Sequence, residues 1–540
     1  MTARDRRDWR LGLVGIALLV LGSGWYQMWT APPYRYVDEQ AHAGYVLELQ
    51  AGRLPTIDTP IDADHGGAAL RARLATEPPR RRDVWVANNP PLPYLVAMVP
   101  AALSRALGFA GGPLIGLRLV NLVAMTAAVV WAARLARSLA SDDAQVGLVA
   151  GAIVAAIPLV GFMAGLGFTD GLATLCSVAM LEALVSVCRR GPSRRQVVVV
   201  ATWCALGAAI RPMTAVLAAA TATMALAVTA ARWWRQRLEA TETERPTATA
   251  PLPPGPVWSA LVLAVPAIAA SGWWYLRNVH LYGDPTGSHR LFDKFARTPP
   301  RGGALTILDH PGIWRRALRT LFTRRTENPP VPNLNTWWPL VKWSLIAVLL
   351  GAAVMVIIDQ VRSRRQPSRS WTTTSSLSAQ GWAAAYASIG VVVAVIAQHW
   401  AGGGSPYARY AIPALAAIAS AAALVVVRLA GRWAGLALVV TILLLQARQV
   451  LVATRTMVAL NSAPPGSELA TGYGPGWSRL AGVAVVVIGV EALAVGLAMV
   501  RAQPEPVAGS DIDHPAGGAS RGSGAHSPSS SATRIRSRLA

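Results

Sequence analysis

Apolar segments of about twenty residues recur along most of the chain, and they restrict its fold more than any other feature. The first occupies residues 11–29, and a helix of this length crosses the hydrocarbon core of a bilayer. Only 14% of the 540 residues are charged, against about 25% in soluble domains. The sequence therefore predicts an all-α, polytopic membrane protein.

About twelve such segments can be counted as spanning helices. In chain order they lie at 11–29, 116–133, 145–166, 168–187, 197–210, 213–230, 257–275, 337–358, 381–398, 410–427, 433–451 and 480–500. Residues 1–10 are basic, so we expect them in the cytoplasm, with the first helix running outward and both chain ends inside. Arginines at helix ends account for the formal net charge of +23. No basic stretch carries interleaved aromatics of the kind that stack bases, so we expect no nucleic acid partner.

Two segments leave the topology open. Residues 92–107 are apolar but short, and Pro93 and Pro100 interrupt them. If they span the membrane, Arg134 and Arg137 lie outside; if they form a juxtamembrane helix in the first outer loop, those arginines are cytoplasmic, and we prefer this second reading. Residues 197–210 and 213–230 form either a tight hairpin or one long kinked helix, and the arginines that follow favour the hairpin.

The predicted domain organisation is one transmembrane domain, residues 1–500, with two long outer loops at 32–113 and 279–336. The second loop is rich in arginine, but long loops follow the positive-inside rule poorly, and we keep it outside. Residues 501–540 are rich in Ser, Gly and Pro and are expected to form a disordered cytoplasmic tail. The three cysteines have no metal-ligand spacing, and we expect neither a metal nor a cofactor.

The first outer loop opens with two adjacent carboxylates, Asp38 and Glu39, followed by His42. Ionisable residues so close to a membrane segment indicate a functional site. The alternative is a helix start, where the dipole favours acids and where His42 is only the i+4 neighbour of Asp38. Adjacent helical residues point about 100° apart, so the two carboxylates cannot both address one substrate hydroxyl.

Further polar residues are predicted at the same membrane face. They are Asn89, Asp170, Arg211, Arg277, Tyr407 and Arg409. Arginines converging with acids suit an anionic lipid headgroup, since a guanidinium binds phosphate through two parallel hydrogen bonds. Each residue also has a simpler explanation. Asp170 could cap a helix, and Arg211 precedes a helix-breaking proline. Arg277 and Arg409 could be interfacial residues that extend to the headgroups.

Three motifs resemble those of the GT-C glycosyltransferases, which include the protein O-mannosyltransferases and the lipid A aminoarabinose transferases. They are Val37-Asp38-Glu39-Gln40-Ala41-His42, the stretch from Trp274 to Pro285, and the stretch from Ala408 to Pro413. They look closest to a little-characterised bacterial branch with an Asp-Glu-x-x-His motif. The chain departs from the pattern at Asn89, where these enzymes often carry His before Pro-Pro-Leu.

The resemblance implies a GT-C-like fold and a glycosyltransferase of the plasma membrane, with its active site on the extracytoplasmic face. Such enzymes move a sugar from a polyprenyl-phosphate donor to a glycan, lipid or protein acceptor, generally with inversion and in many cases without a metal. Asp38 would be the catalytic base, supported by Glu39 and Asp170, and a nearby carboxylate would raise the pKa of Asp38.

The remaining predicted site residues would bind the substrates. We assign the donor phosphate to Arg211 and Arg277, and we place His42, Asn89, Tyr407 and Arg409 among the other contacts. The competing class is a transporter or flippase for lipid-linked saccharides. Such a protein should carry its charges near the middle of the bilayer, whereas the predicted spans contain few acids.

Overall fold

The computed structural model describes residues 3–36, 38–109, 111–242, 254–299, 303–322, 334–365, 377–405, 407–461 and 476–499. Regular structure in these ranges is helical, which confirms the all-α prediction. The helices are α1 Ala3–Thr30, α2 Glu39–Gln50, α3 Ala68–Thr76, α4 Leu92–Ala106, α5 Leu114–Leu139, α6 Ala144–Ala156, α7 Pro158–Ala164, α8 Asp170–Arg190, α9 Arg194–Ala208, α10 Pro212–Glu242, α11 Pro256–Tyr282, α12 Ser288–Lys294, α13 Gly303–Asp309, α14 Pro311–Phe322, α15 Leu334–Arg365, α16 Ala379–Ala401, α17 Ile412–Asn461 and α18 Gly476–Met499. The predicted tail, 501–540, lies outside the described residues.

The number of spanning helices differs from the prediction. Within the described ranges nine helices are long and apolar enough to cross a membrane, and the bent pair α6–α7 raises the number to ten. α9 has 15 residues, so it rises only about 22 Å and is shorter than a hydrocarbon core of about 30 Å. The spans predicted at 410–427 and 433–451 both fall within α17, which Gly431, with non-helical backbone angles, divides into two helices; the first part, within Ala408–Gly431, is counted among the nine. The count of about twelve is therefore not confirmed.

The hairpin prediction is confirmed. α9 ends at Ala208 and α10 begins at Pro212, and the two helices pack against each other. Near the far end of α10, Arg232 donates a hydrogen bond to the carbonyl of Cys188, which lies just before the start of α9. α10 thus returns to the level at which α9 begins, so the break at Arg211 and Pro212 is a turn.

α1 and α18 pack antiparallel through glycines. Gly22 faces Gly482, and Gly15 faces Gly489. A Cβ atom added to Gly22 would lie 2.6 Å from the carbonyl oxygen of Gly482 and 2.8 Å from the amide nitrogen of Val486. Small residues of this kind let two membrane helices approach to backbone contact. The resulting van der Waals packing stabilises the helix pair inside lipid, where the hydrophobic effect contributes little.

We expect Gly22→Val to lower stability by about 1–3 kcal/mol, because the added atoms overpack a backbone contact that cannot yield. The measurement is the thermal unfolding midpoint of the purified protein in detergent. Gly390→Val is the matched control, since a Cβ at that α16 glycine meets nothing within 4 Å. Equal midpoints for the two variants would contradict the glycine contact.

The first outer loop folds around an apolar core of its own. Tyr45, Ile57 and Val84 are fully buried there, together with Trp274 of α11. α4 covers this core with one face, and its other face is apolar and exposed, as at Val99, which is 75% exposed. The structure thus has a short amphipathic helix where we predicted one, and its placement in the membrane interface stays a prediction.

The second outer loop docks onto the first. Lys294 of α12 donates to Asp58 at 2.8 Å and to Asp83 at 2.5 Å, and Asn88 donates to the carbonyl of Thr286 at 2.9 Å. α13 packs on α16, and α14 packs on α7. The two loops therefore fold together over one end of the bundle and enclose the space between them.

Candidate active site

That enclosed space is a cavity of about 1480 Å³. Its walls come from the first loop, the α7–α8 and α9–α10 turns, the second loop, the end of α16 and the turn before α17. Of the nine predicted site residues, seven line it: Asp38, His42, Asn89, Asp170, Arg211, Tyr407 and Arg409. The two that do not are Glu39 and Arg277. No group of three or more His, Cys, Asp or Glu residues in the described ranges is placed to hold a metal ion.

Asp38 faces this cavity and pairs with an arginine from the other end of the chain. Its Oδ2 accepts a hydrogen bond from Nη2 of Arg409 at 2.6 Å. Asp38 immediately precedes α2, but its side chain makes no capping hydrogen bond, so a helix cap does not explain it. The guanidinium of Arg409 also lies 5.2 Å from the ring of Phe168 and 5.5 Å from that of Tyr407. These contacts fix the carboxylate–arginine pair at the cavity wall.

The partner of Asp38 changes its proton affinity. Burial by itself would raise the pKa of Asp38, but the charge of Arg409 and its hydrogen bond hold that pKa below the ordinary value. The expected increase caused by a neighbouring carboxylate is therefore wrong, because the group closest to Asp38 is a cation. Asp38 is ionised at neutral pH and can accept a proton.

Glu39 points away from the cavity, into the bundle. It is fully buried, and its two carboxylate oxygens accept from Nε and Nη2 of Arg118, both at 2.9 Å. One oxygen also accepts from the backbone N–H of Gly167 at 3.0 Å. Glu39 therefore does not face a substrate in the cavity, because the 100° step along the helix turns this side chain inward. Its predicted support of Asp38 would have to act through the helix start that the two residues share.

Arg118 was not predicted as a functional residue. Its side chain is fully buried in α5, and besides Glu39 it donates to the carbonyls of Met28, Ala31 and Pro32. These carbonyls belong to the end of α1 and the turn after it, where the helix leaves acceptors unsatisfied. Arg118 thereby joins α1, α5 and α2 directly behind Asp38. The signal was present in the sequence as a lone arginine within an apolar segment.

Asp170 and Arg211 form a second carboxylate–arginine pair in the cavity. Asp170 Oδ1 accepts from Arg211 Nη1 at 2.9 Å, and both side chains are largely buried. Asp170 is the first residue of α8, yet its position is fixed from α5: Asn121 accepts from the N–H of Gly171 at 2.6 Å and donates to the carbonyl of Leu166 at 2.9 Å. Asn121 lies one helical turn after Arg118. One face of α5 therefore positions both the turn that carries Asp38 and Glu39 and the turn that carries Asp170.

Arg211 retains unused hydrogen-bond donors. Its Nε and Nη2 atoms are buried and have no hydrogen-bond partner among the described residues, and the same holds for Nε of Arg409. Leaving a buried donor unsatisfied costs about 1–3 kcal/mol, more for a charged group. Arginines that line the cavity and have donors without a protein partner are therefore suited to a ligand that accepts several hydrogen bonds.

His42 lies between the cavity and the first-loop core. Its Nδ1 is 2.9 Å from the hydroxyl of Tyr94, and the two rings stack with centroids 5.7 Å apart. Burial is the main reason that the pKa of His42 is lowered to about 4. The imidazole is therefore neutral at physiological pH and offers one donor and one acceptor.

Asn89 and Arg277 differ in their relation to the cavity. Asn89 lines it, while its side-chain amide donates to the carbonyl of Val86 at 3.0 Å. Arg277 instead donates to the carbonyl of Pro55 at 2.8 Å and lies 4.5 Å from the ring of Trp274. Since α11 continues beyond Arg277 alongside the first loop, this guanidinium holds that loop. A role for Arg277 in binding the donor phosphate has no support in this geometry.

No family model matches the chain, and no curated protein matches it. Among solved structures, ArnT from Cupriavidus metallidurans, bound to undecaprenyl phosphate, is 12% identical with a TM-score of 0.44, over 91% of this chain and 76% of that chain. The apo oligosaccharyltransferase of Archaeoglobus fulgidus is 13% identical with a TM-score of 0.39, over 92% and 56%. The chain therefore spans little more than half the length of the archaeal enzyme. Both neighbours are membrane glycosyltransferases of the GT-C superfamily, the superfamily whose motifs this sequence resembles.

Proposed function

We propose that the chain is a membrane glycosyltransferase that moves a sugar from a polyprenyl-phosphate donor to the hydroxyl of a glycan, lipid or protein acceptor. One observation carries the proposal: a single cavity at one end of the bundle holds an ionised carboxylate, Asp38, and an arginine, Arg211, with buried donors left open. An acceptor hydroxyl needs a base, and a departing phosphate needs positive charge placed in advance.

The reaction follows from these two groups. Asp38 takes the proton of the acceptor hydroxyl as its oxygen forms a bond to the anomeric carbon. The bond between that carbon and the phosphate oxygen breaks, and the electron pair stays on the phosphate. Arg211 and Arg409 then hold the released phosphate. Attack from the face opposite the leaving phosphate inverts the anomeric centre, in keeping with the sequence resemblance.

We infer that the cavity lies on the extracytoplasmic side of the plasma membrane. The support is the basic N-terminal segment, which the positive-inside rule keeps in the cytoplasm. α1 runs from that segment to Thr30, and Asp38 follows eight residues later in the chain. The lipid-linked donor would then reach the cavity from the outer leaflet.

A flippase for lipid-linked saccharides is the alternative. Its charged groups should lie near the middle of the bilayer, whereas Asp170 is the first residue of α8 and Arg211 lies in a turn. The deciding experiment supplies the purified protein, in liposomes, with labelled polyprenyl-phosphate sugars and an acceptor extract. Release of polyprenyl phosphate with labelling of the acceptor supports a transferase. Movement of the intact lipid-linked sugar across the bilayer, without cleavage, would favour a flippase.

The donor site gives a direct prediction. Arg211→Lys keeps the charge beside Asp170 but removes the guanidinium fork, so we expect donor affinity to fall about tenfold or more. Arg277→Lys makes the same change at an arginine that does not line the cavity, and it should leave donor affinity within about twofold. The measurement is a binding titration with a polyprenyl-phosphate sugar. A larger effect at Arg277 would reverse the assignment.

The pH dependence is a second prediction for this site. The pKa of Asp38 is lowered and that of His42 is about 4, so neither changes charge between about pH 5 and pH 8. We therefore expect that the titration of Asp38 and His42 causes no change in kcat/KM across that pH range. Because the folded pKa of Asp38 is depressed, its pair with Arg409 stabilises the protein above the unfolded pKa and is lost as the pH falls through the folded value. A midpoint near pH 6–7 that disappears in His42→Gln would contradict this prediction.

A further inference from the structure

A second pocket, of about 750 Å³, surrounds the far end of α8. α8 begins at Asp170, in the wall of the candidate active site, and its last residue, Arg190, lines the second pocket. Twenty residues of α-helix rise about 30 Å, which matches the hydrocarbon thickness of a bilayer. The second pocket therefore lies at the opposite membrane surface and shares no lining residue with the first.

Arginines from four helices converge on this pocket. Arg134 comes from α5, Arg190 from α8, Arg195 from α9 and Arg232 from α10, and they face a single carboxylate, Glu182 of α8. In the described part of the chain none of the four forms an ion pair. The neighbouring Arg189, by contrast, pairs with Asp142 at 3.0 Å.

The positive-inside rule explains arginines at a helix end, but it does not explain why four of them line one hollow. The start of α9 adds to their field, since a helix N-terminus carries a partial positive charge. An anionic group that fits the hollow would meet guanidinium donors from several sides. The pocket therefore has the charge and the shape of a phosphate site.

The pocket is continuous with a lipid-facing surface. Val199 of α9 lines it and is 40% exposed, and the adjacent Val198 is 46% exposed. α9 rises only about 22 Å, and a short apolar helix draws the bilayer surface toward itself. Headgroups of this leaflet are thereby brought to the level of the pocket, while the exposed valines offer a surface for acyl chains.

We propose that this pocket binds the headgroup of a phosphatidylglycerol-type lipid, with its acyl chains along α9. The phosphodiester accepts hydrogen bonds from the arginines in the forked geometry that suits phosphate. Glu182 accepts a hydrogen bond from a glycerol hydroxyl of the headgroup. A phosphate monoester offers Glu182 no such hydroxyl, so this carboxylate shifts the preference of the pocket toward a hydroxyl-bearing diester.

The test is native mass spectrometry of the full chain, titrated with phosphatidylglycerol or phosphatidylcholine of the same acyl composition. The variant is Arg190→Gln/Arg195→Gln, two exposed side chains of the pocket. A basic residue at an anionic membrane surface contributes about fivefold in affinity, so we expect phosphatidylglycerol binding to fall about twentyfold. Binding of phosphatidylcholine should not change.

The matched control is Arg235→Gln/Arg237→Gln. It removes two exposed arginines near the same end of α10 that do not line the pocket, and it should change binding less than about twofold. An equal loss in the control would mean general surface attraction and would overturn the proposal. So would an absence of preference for phosphatidylglycerol in the unaltered protein. Displacement of the lipid by an equal concentration of inorganic phosphate would point to a soluble anion and overturn the lipid assignment.

Glu182→Gln tests the selection step. We expect the ratio of the phosphatidylglycerol affinity to the phosphatidic acid affinity to be about fivefold lower in the variant than in the unaltered protein, while phosphatidylglycerol still binds. An unchanged preference in the variant would overturn the role of Glu182. Thermal unfolding midpoints, measured for all variants, separate loss of binding from loss of fold.

Discussion

Asp38→Asn is expected to lower the rate of sugar transfer by about 10²–10⁴-fold, with donor binding retained. Asparagine keeps the size of the side chain and an oxygen that can accept from Arg409, but it cannot take a proton. The cavity around it, including the Asp170–Arg211 pair, is unaltered by this change. The measurement is kcat with a polyprenyl-phosphate sugar, together with the donor affinity and the thermal unfolding midpoint.

A matched control is available in the same cavity. Asp284 also lines it, but its carboxylate accepts from the backbone N–H groups of Thr286 and Ser288 at 2.8 and 3.2 Å. Asp284→Asn should therefore reduce kcat by less than about tenfold. If a well-folded Asp38→Asn protein turned over near normally, the base would have to be another carboxylate that lines the cavity, Asp170 or Asp284, because Glu39 does not face it.

Much of the site could be predicted because its residues lie at helix ends on one membrane face. Asp38 follows the first span, Asp170 begins another, and Arg211 and Arg409 lie in or beside turns. Once the order of the spans is read from hydropathy, such residues are brought to a common level even when hundreds of positions separate them. Asp38 and Arg409 are 371 residues apart. Their placement at the same end of the bundle could be predicted from the order of the spans alone, without knowledge of how the helices pack.

The direction of individual side chains could not be predicted in the same way. Glu39 and Arg277 lie at the expected level, but the rotation of α2 and of α11 turns them away from the cavity. That rotation depends on partners such as Arg118 and Trp274, which are fixed only by the packing of distant segments. The wrong direction for the pKa of Asp38 has the same cause, since it followed from an assumed carboxylate neighbour.

The helix count differed for a related reason. Hydropathy records how apolar a segment is, but the length of α9 and the break at Gly431 depend on local geometry. Gly431 has φ of 74°, a conformation that glycine adopts without strain, and it ends the first part of α17, which lies within Ala408–Gly431, the segment counted as a spanning helix. A window that averages over about nineteen residues does not resolve either feature.

Arg118→Met is expected to be among the most destabilising single changes in the protein, by about 3–5 kcal/mol. The substitution removes the arginine that pairs with the fully buried Glu39, and so leaves an uncompensated charge in the bundle. The carbonyls of Met28, Ala31 and Pro32 also lose the hydrogen bonds that Arg118 donates to them. The measurement is the free energy of unfolding, or the thermal midpoint in detergent. Arg134→Met is the control on the same helix, at an exposed position.

The double variant Glu39→Met/Arg118→Met separates the charge from the carbonyl contacts. With both partners apolar no buried charge remains, and replacing a whole buried pair in this way is often close to neutral. We expect the double variant to recover most of the lost stability but not all of it, because the carbonyls of Met28, Ala31 and Pro32 still lack the hydrogen bonds that Arg118 donated. It should nevertheless remain impaired in transfer, since Arg118 and Glu39 hold the helix start that carries Asp38. If Arg118→Met were no less stable than Arg134→Met, the buried pair would not be what fixes the turn that carries Asp38.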